Sequence, residues 1–261
     1  MPWYRTVLPE NELRILQTRE DAGQTYRSAF HYLRTGVPQA IFTELGSGEK
    51  SNIGIVLKQD RARTVLWRDG GYCGVSDHIF KRGYSSKEEF EKALAENSYV
   101  SCSERDVATK IDQKYKKNYD EAVAEGIPKS EREDYSRLAW TEGVFRYRFA
   151  DIDSVVVNPS NLDSCKKGYA FSKVLEARLG RKVDFVTLDK DGKGVHAVDR
   201  DAVKSTALGT QANRREVEAL IDSYEKAAKA PPASTHATTG AAAFGRGSTR
   251  GGSSAGGGGR K

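Results

Sequence analysis

The sequence predicts an α+β fold, with mixed or antiparallel β-sheets flanked by helices and a disordered tail at the C-terminal end. Strand-like and helical stretches alternate irregularly up to residue 230, whereas a regular parallel fold would repeat a strand–helix unit. The turn sequence Asp189-Lys-Asp-Gly192 predicts a hairpin of antiparallel strands. Residues 231–261 carry a single large apolar side chain, Phe244, and therefore cannot bury a core.

The first 59 residues are expected to form a cap on the rest of the chain. Tyr26, Phe30 and Leu33 recur at helical spacing, which predicts a helix over about residues 20–34. Further β-type stretches and a hairpin loop are predicted after this helix. They cover residues 40–45 and 52–57, with the loop at Gly46-Ser-Gly48.

Residues 60–200 are expected to form the main domain. β-branched and aromatic residues predict its strands, at residues 64–67, 98–101, 144–149, 154–157, 183–188 and 195–198. Charged stretches predict its helices, at residues 87–96 and 105–124. This irregular order is the basis for the α+β assignment.

Residues 201–230 are predicted to add a C-terminal amphipathic helix. Val217, Leu220 and Tyr224 lie at helical spacing, so one side of this helix should pack on the domain or on a partner. Residues 231–261 then form a Gly/Arg-rich tail with four basic residues and no acidic residue.

Composition excludes several classes of protein. Apolar residues make up 38% of the chain and charged residues 30%, and no apolar stretch approaches the roughly 18 residues that a membrane span needs. We therefore expect no membrane partner. Of the formal net charge of +6, the tail supplies four charges, which leaves 38 basic and 36 acidic residues elsewhere. The composition therefore does not imply a basic nucleic-acid-binding face on the folded part.

The N-terminal residues and the cysteines indicate the compartment in which the protein is expected. The first residues lack a basic stretch followed by an apolar one, so we expect a cytoplasmic protein, or one delivered to a host cell without a signal peptide. Cys73, Cys102 and Cys165 are odd in number and lack Cys-x-x-Cys spacing. Neither a disulfide framework nor a zinc site is expected.

Three sequence pieces follow one another in an informative order. They are Leu66-Trp-Arg68-Asp69, then Asp77-His-Ile-Phe80-Lys-Arg-Gly83-Tyr84, then Tyr99-Val-Ser101-Cys-Ser103-Glu-Arg-Asp-Val-Ala108. A charged helical stretch and the alternating strand at residues 144–149 come next. This order resembles the pertussis-toxin and scabin-like mono-ADP-ribosyltransferases over about half of the chain.

The resemblance implies an ADP-ribosyltransferase-like fold that takes NAD⁺ as substrate and breaks its nicotinamide–ribose bond. ADP-ribose would pass to a protein or nucleic-acid acceptor, or to water. By resemblance, Arg68 and Asp69 contact the dinucleotide, Ser101 supports the catalytic glutamate, and Ser103 stabilises the nicotinamide pocket. A planar guanidinium suits a pyrophosphate because it donates two parallel hydrogen bonds. Tyr84 is expected to line the pocket by stacking on nicotinamide, and Tyr72 and Phe80 are further candidates. Aromatic residues at such positions also fit a buried core, which is the favoured interpretation for Phe80.

The catalytic glutamate that the resemblance implies is Glu176. Relatives carry Gln/Glu-x-Glu on a late strand, and Val174-Leu-Glu176 is the best counterpart here. A carboxylate near the ribose stabilises the positive charge that develops as the glycosidic bond breaks. Val174, in place of Gln or Glu, argues against arginine as the acceptor. In the alternative interpretation, residues 171–178 form a helix and Glu176 lies on its solvated side.

Two further classes of function stay open. One is a non-enzymatic nucleic-acid adaptor, suggested by the Gly/Arg tail and by Phe145, Tyr147 and Phe149, whose rings would stack on bases. Their alternation predicts a buried face equally well. The other is a catalytically inactive module of the same fold. For the tail, residues 231–261, two interpretations stay open: weak binding of nucleic acid through its basic residues, or a solubilising role without a partner.

No metal is expected. His, Asp and Glu residues nowhere show metal-ligand spacing, and Asp189-Lys-Asp191-Gly-Lys193 only begins like a calcium-binding loop.

Overall fold

The computed structural model describes residues 3–32, 53–68, 87–96, 99–136, 142–188 and 195–229. Its strands are β1 (Trp3–Val7), β2 (Tyr26–Tyr32), β3 (Ile53–Leu57), β4 (Thr64–Arg68), β5 (Val100–Ser103), β6 (Glu142–Tyr147), β7 (Ile152–Val157), β8 (Asp184–Leu188) and β9 (Val195–Val198). Its helices are α1 (Pro9–Asp21), α2 (Lys87–Glu96), α3 (Glu104–Ala124), α4 (Lys129–Ser136), α5 (Leu162–Leu179), α6 (Arg200–Leu208) and α7 (Gln211–Lys229), with a 3₁₀ turn at Phe149–Asp151.

The nine strands of the described part form one mixed sheet in the order β5-β4-β6-β2-β1-β3-β7-β8-β9. β7 and β8 run parallel, and the other neighbouring strands run antiparallel. The α+β class predicted from the sequence is confirmed, with one continuous sheet in the described residues.

The sheet has two different faces, because successive side chains of a strand point to opposite sides. The first, which we call the helix face, carries Trp3, Phe145 and Tyr147 and packs against helices α1, α3, α5, α6 and α7 in the main core. The other, which we call the opposite face, carries a smaller buried cluster. Its members are Tyr4, Val56, Val156 and Leu188.

The apolar sequence of β3 explains why this segment forms an inner strand of the sheet. All five residues of Ile53–Leu57 are buried, because the strand lies between β1 and β7 and contributes to both clusters. A continuous apolar run is typical of strands that are covered on both sides.

Two glycines set the position of α5 against the sheet. A Cβ atom on Gly168 would lie 2.3 Å from Cγ1 of Val157, so only glycine lets the helix approach β7 this closely. At the C-terminal end, Gly180 has a φ of 63°, the left-handed conformation that commonly ends helices. The chain then turns directly toward β8.

The N-terminal residues differ from their predicted structure. The helix expected over residues 20–34 is wrong, because α1 ends at Asp21 and β2 begins at Tyr26. Tyr26 and Phe30 are four residues apart, which fits one side of a strand as well as one side of a helix. Instead of forming a cap, β1, β2 and β3 occupy the centre of the sheet. The strand predicted at residues 52–57 is confirmed as β3, and residues 40–48 lie outside the described part.

The elements predicted after residue 60 agree better with the structure. The predicted strands correspond to β4 to β9, the helix at residues 87–96 is α2, and the charged helix is α3. β8 and β9 pair antiparallel, as the hairpin prediction requires, although the turn itself lies outside the described residues. The C-terminal helix is α7, which packs on α5 and α1. The tail, residues 231–261, also lies outside the described part. None of the described helices combines the length and apolarity that crossing a membrane requires.

Candidate functional site

Arg68 and Ser101 lie on neighbouring strands at one end of the sheet. In the β4–β5 register Leu66 pairs with Ser101, and Arg68 follows two residues later as the last residue of β4. On the other side of β4, Arg68 pairs with Glu142, the first residue of β6. The backbone therefore brings an arginine, a glutamate and a serine to adjacent positions on three strands.

Gly143 explains how β6 can lie so close to β4 at this point. It pairs with Trp67, and a Cβ atom on it would lie 2.9 Å from Cζ3 of Trp3 and 2.9 Å from Cγ1 of Val65. Because only glycine fits between these side chains, the register is fixed. Glu142, the preceding residue, is thereby held opposite Arg68.

The same register continues across two more strands. Glu142 pairs with His31 of β2, and His31 pairs with Tyr4 of β1. We call Arg68, Glu142, His31 and Tyr4 the cross-strand row. The rings of Tyr4 and His31 lie 5.9 Å apart, centroid to centroid. Burial, together with the nearby charge of Arg5, lowers the pKa of His31 to about 4, so its imidazole is neutral at neutral pH.

His31 is expected to make the fold sensitive to acid. In the unfolded chain His31 binds a proton near its ordinary pKa of 6.5, whereas in the folded protein it does so near 4. Between these values the unfolded state holds more protons, so stability falls as the pH falls from 6.5 to 4. For a fully buried ring, this difference in pKa would lower the free energy of unfolding by about 3 kcal/mol. We expect a loss of about 2 kcal/mol, because this ring is only partly buried.

Urea denaturation of the wild type and of His31→Gln at pH 7.5 and 4.5 measures this loss. The variant should lose less stability on acidification than the wild type by the expected amount. Equal losses for the two proteins would show that His31 does not titrate in this way.

The two serines of the Ser-Cys-Ser piece have different surroundings. Ser101 is exposed, so its hydroxyl is accessible to a ligand. Ser103 is the N-cap of α3, and its Oγ accepts a hydrogen bond from the backbone N of Asp106 at 3.1 Å. Such a cap satisfies one of the unpaired N–H groups at a helix start. In the structure, the role of Ser103 is therefore to cap the first turn of α3.

Glu176 does not lie on a strand but in the last turns of α5. Its Oε1 accepts a hydrogen bond from the backbone N of Val183 at 3.0 Å and pairs with Nη2 of Arg200 at 2.5 Å. Its Oε2 lies 3.4 Å from Nζ of Lys173. Burial alone would raise the pKa of Glu176, but these partners outweigh it and lower the pKa. The carboxylate thus ties α5 to the segments that begin β8 and α6.

The structure does not bring Glu176 to Arg68 and Ser101. Val183 directly precedes β8, which is eighth in the sheet order, whereas β4 is second. Six strand spacings correspond to about 29 Å along the sheet. The strand predicted around Glu176 is wrong, and the helical alternative is confirmed, with an ion-paired rather than solvated carboxylate. Val174 is buried in the same helix, so it no longer bears on the acceptor.

The other residues predicted for the pocket cannot be placed. Asp69 and Tyr84, and with them Tyr72 and Phe80, lie outside the described residues. Chain connectivity puts Asp69 directly after the end of β4.

Sequence reasoning did not single out Glu142 or His31. His31 lies in a stretch that was predicted as a helix, and Glu142 lies just before the strand predicted at residues 144–149. Their importance comes from the pairing of β2 with β6 and of β6 with β4. The one available signal was the Glu-Gly step before an alternating strand, since a glycine there indicates a close approach of another side chain.

The aromatic residues of β6 and the turn after it do not form a base-stacking surface. Phe145, Tyr147 and Phe149 are at most 1% exposed, so the buried-face alternative is confirmed. Within the described residues, no three or more His, Cys, Asp and Glu side chains are grouped so that they could hold a metal ion.

Comparison with models of protein families gives no match for this chain, and a search of curated proteins gives no significant match.

Proposed function

We propose that the protein is an NAD⁺-cleaving mono-ADP-ribosyltransferase, with its site at the shared end of β5, β4 and β6. The observation that carries the proposal is the register that pairs Arg68 with Glu142 and pairs Ser101 with Leu66, two residues before Arg68. These residue types in adjacent positions suit a dinucleotide whose glycosidic bond is to be broken. The α+β architecture with its mixed sheet is compatible with the ADP-ribosyltransferase-like fold that the sequence motifs resemble.

Arg68 is proposed to anchor the pyrophosphate of NAD⁺. A guanidinium donates two parallel hydrogen bonds to phosphate oxygens and stays protonated at any pH at which the protein is folded. Its position at the end of β4 is next to the segment that begins with Asp69. The predicted pocket residues of that segment therefore follow the anchor directly in the chain.

Glu142 is proposed to replace Glu176 as the carboxylate of the reaction. When the bond between nicotinamide and C1′ of the ribose breaks, the bonding electron pair leaves with nicotinamide and positive charge develops on the sugar. A carboxylate beside the ribose stabilises that charge and holds the 2′-hydroxyl. The acceptor then forms a bond to C1′ and loses its proton. The exposed hydroxyl of Ser101 is available as a second hydrogen-bonding group.

His31 is proposed as a positioning residue for Glu142. His31 and Glu142 are directly paired in the register of β2 and β6, which supports this role. Because burial keeps this imidazole neutral, it can donate or accept one hydrogen bond without neutralising the glutamate.

Release of nicotinamide from NAD⁺, measured by chromatography, tests the proposal. The wild type should release nicotinamide, slowly with water and faster with the acceptor. Arg68→Lys should weaken binding of NAD⁺ in calorimetry by at least about tenfold, because lysine keeps the charge but loses the paired hydrogen bonds. Arg215→Lys, an exposed site on α7, serves as the matched control and should bind normally.

Three outcomes would contradict the proposal. An unchanged dissociation constant for Arg68→Lys would place Arg68 outside the site. Binding of NAD⁺ without any release of nicotinamide, with water or with protein and nucleic-acid mixtures, would favour the inactive module. Binding of RNA but not of NAD⁺ would favour the adaptor.

A further inference from the structure

The loop before β4 and the first turn of α3 are held together by hydrogen bonds in both directions. The backbone N of Glu104 donates to the carbonyl O of Arg63 at 2.8 Å, and the backbone N of Arg105 donates to the carbonyl O of Arg61 at 3.3 Å. In return, Oε2 of Glu104 accepts a hydrogen bond from the backbone N of Asp60 at 3.2 Å. We call these contacts between residues 60–63 and the first turn of α3 the loop–helix joint.

The carboxylate of Glu104 is buried in this joint with little to stabilise a negative charge. Glu104 is 5% exposed. Among the described residues, the backbone N of Asp60 is its one hydrogen-bond donor, and no cation lies within ion-pair distance of it. The first three N–H groups of α3 donate to Arg63, Arg61 and Ser103 instead. A buried carboxylate with a single donor favours its protonated form.

The neighbouring guanidinium of Arg63 is bound to other groups. Its Nη2 pairs with Oδ1 of Asp151 at 3.4 Å, and its Cζ lies 5.9 Å from the ring centroid of Phe145. Its Nη1 is buried and makes no hydrogen bond. The joint therefore contains a carboxylate without an ion-pair partner and a cationic donor without an acceptor. Once Glu104 is ionised, a shift toward Arg63 or entry of water would satisfy both groups, and either change opens the packed joint.

The charges around Glu104 do not offset its burial. Burial raises the pKa of this carboxyl, and the nearby carboxylate of Asp60 also raises it. The backbone N–H of Asp60, the charge of Arg63 and the α-amino group of the chain lower the pKa, but by less in sum. The remaining charged side chains of the joint are exposed to solvent and screened by it. They are Arg61, Arg105 and Asp106.

We infer that the loop–helix joint is a pH-dependent closure, in which protonated Glu104 keeps residues 60–63 packed on α3 and ionised Glu104 opens them. The direction follows from linkage, because the closed joint binds the proton of Glu104 more tightly than the open joint does. The closure is fully stable below the ordinary pKa of 4.5 and weakens as the pH rises through the raised pKa. This direction is opposite to that of His31, which destabilises the fold on acidification.

Opening of the joint would loosen the strand that bears Ser101. Thr64, the residue after the loop, pairs with Ser103, the last residue of β5. Ser103 also caps α3, so it is bonded to both sides of the joint. Acidification should therefore order this end of β4 and β5. The inference does not rest on the proposed function, because opening is measured without NAD⁺.

Amide hydrogen exchange of the full chain, followed by NMR at pH 5 and pH 7, tests the inference. Exchange rates are converted to protection factors, which removes the intrinsic pH dependence of exchange. At pH 7 the α-amino group is still largely protonated, so Glu104 is the group of the joint expected to titrate in this range. The variants are Glu104→Gln and, as a matched control, Asp106→Asn, which neutralises an exposed carboxylate in the same turn. The amide of Val155, in the buried strand β7, reports global unfolding.

We expect protection of the Glu104 and Arg105 amides in the wild type to fall about tenfold between pH 5 and pH 7, while that of Val155 does not fall. Asp106→Asn should behave like the wild type, and Glu104→Gln should show equal protection at both pH values. The carboxyl ¹³C signal of Glu104 should titrate over the same range. This signal tests the inference in the wild type even if Glu104→Gln does not fold.

Three results would overturn the inference: titration of the Glu104 ¹³C signal at its ordinary pKa of 4.5, equal protection of the wild type at both pH values, or a fall of the same size in Glu104→Gln. Failure of the proposed function is a separate result, because an absence of nicotinamide release would leave these exchange rates unchanged.

Discussion

Replacement of Glu142 by glutamine should lower the rate of nicotinamide release by about 100-fold or more. The amide has the shape of the carboxylate but no charge to stabilise the developing oxocarbenium ion, and loss of one such electrostatic group typically costs a factor of about 10² to 10³. NAD⁺ binding should change less than the rate, because Arg68 still provides the anchor. Single-turnover release of nicotinamide, measured with enzyme in excess, separates the two effects.

Glu176→Gln is the matched control, because it makes the same chemical change in the glutamate that the sequence resemblance implies as catalytic. It should keep the rate per folded molecule. It should also lower the free energy of unfolding by about 1 to 3 kcal/mol, because Arg200 loses its charged partner. The reverse pattern, with release lost in Glu176→Gln and kept in Glu142→Gln, would show that the carboxylate has been assigned to the wrong residue.

Replacement of Glu12 by alanine should destabilise the fold by about 3 to 5 kcal/mol, the usual cost of leaving a buried charge without its partner. Glu12 is 2% exposed, and its Oε2 lies 3.3 Å from Nη2 of Arg5. Nη1 of Arg5 donates to the hydroxyl of Tyr147 at 3.1 Å and also to Oγ of Ser28. Burial raises the pKa of the Tyr147 hydroxyl, which stays protonated and donates to Glu12.

Chemical denaturation of three variants measures this contribution. Glu10→Ala, an exposed change in the same turn of α1, should cost less than about 1 kcal/mol. The double variant Arg5→Met/Glu12→Leu should recover much of the stability that Glu12→Ala loses, because no unpaired charge is left. A double variant less stable than Glu12→Ala would mean that the ion pair itself, rather than the cost of breaking it, stabilises the sheet.

Local patterns predicted β4 to β9 and the helices α2, α3 and α7, because their side-chain spacing is distinctive. α4 and α6 were not predicted, and α5 was considered only as the helical alternative around Glu176. The ten residues of α2 and the long charged α3 repeat at helical spacing, and the strands carry β-branched residues in short runs. Before residue 60 the patterns were ambiguous. The spacing of Tyr26 and Phe30 fits both a helix and a strand. This segment forms a strand because it pairs with β6.

The candidate site was predictable only in part, because some of its residues are brought together by strand pairing and not by their local sequence. Arg68 and Ser101 belong to pieces that are contiguous in sequence, and a strand-end arginine has a recognisable chemistry. Glu142 and His31 join them only through strand register, which depends on Gly143 accepting Trp3 and Val65 at close range. Glu176 was misplaced because an x-Leu-Glu-x step has no feature that distinguishes a strand from the end of a long helix such as α5.

The central position of β3 has a consequence for how the chain folds. Ile53 pairs with Val157, so the middle of the sheet closes only after about 100 further residues have been synthesised. Contacts between such distant segments slow folding, because the entropy of closing the loop is lost before the contacts form. Before β7 has been synthesised, the apolar segment Ile53–Leu57 lacks one of its two neighbouring strands. In the growing chain this segment is the natural target for chaperones and the first point from which aggregation would start.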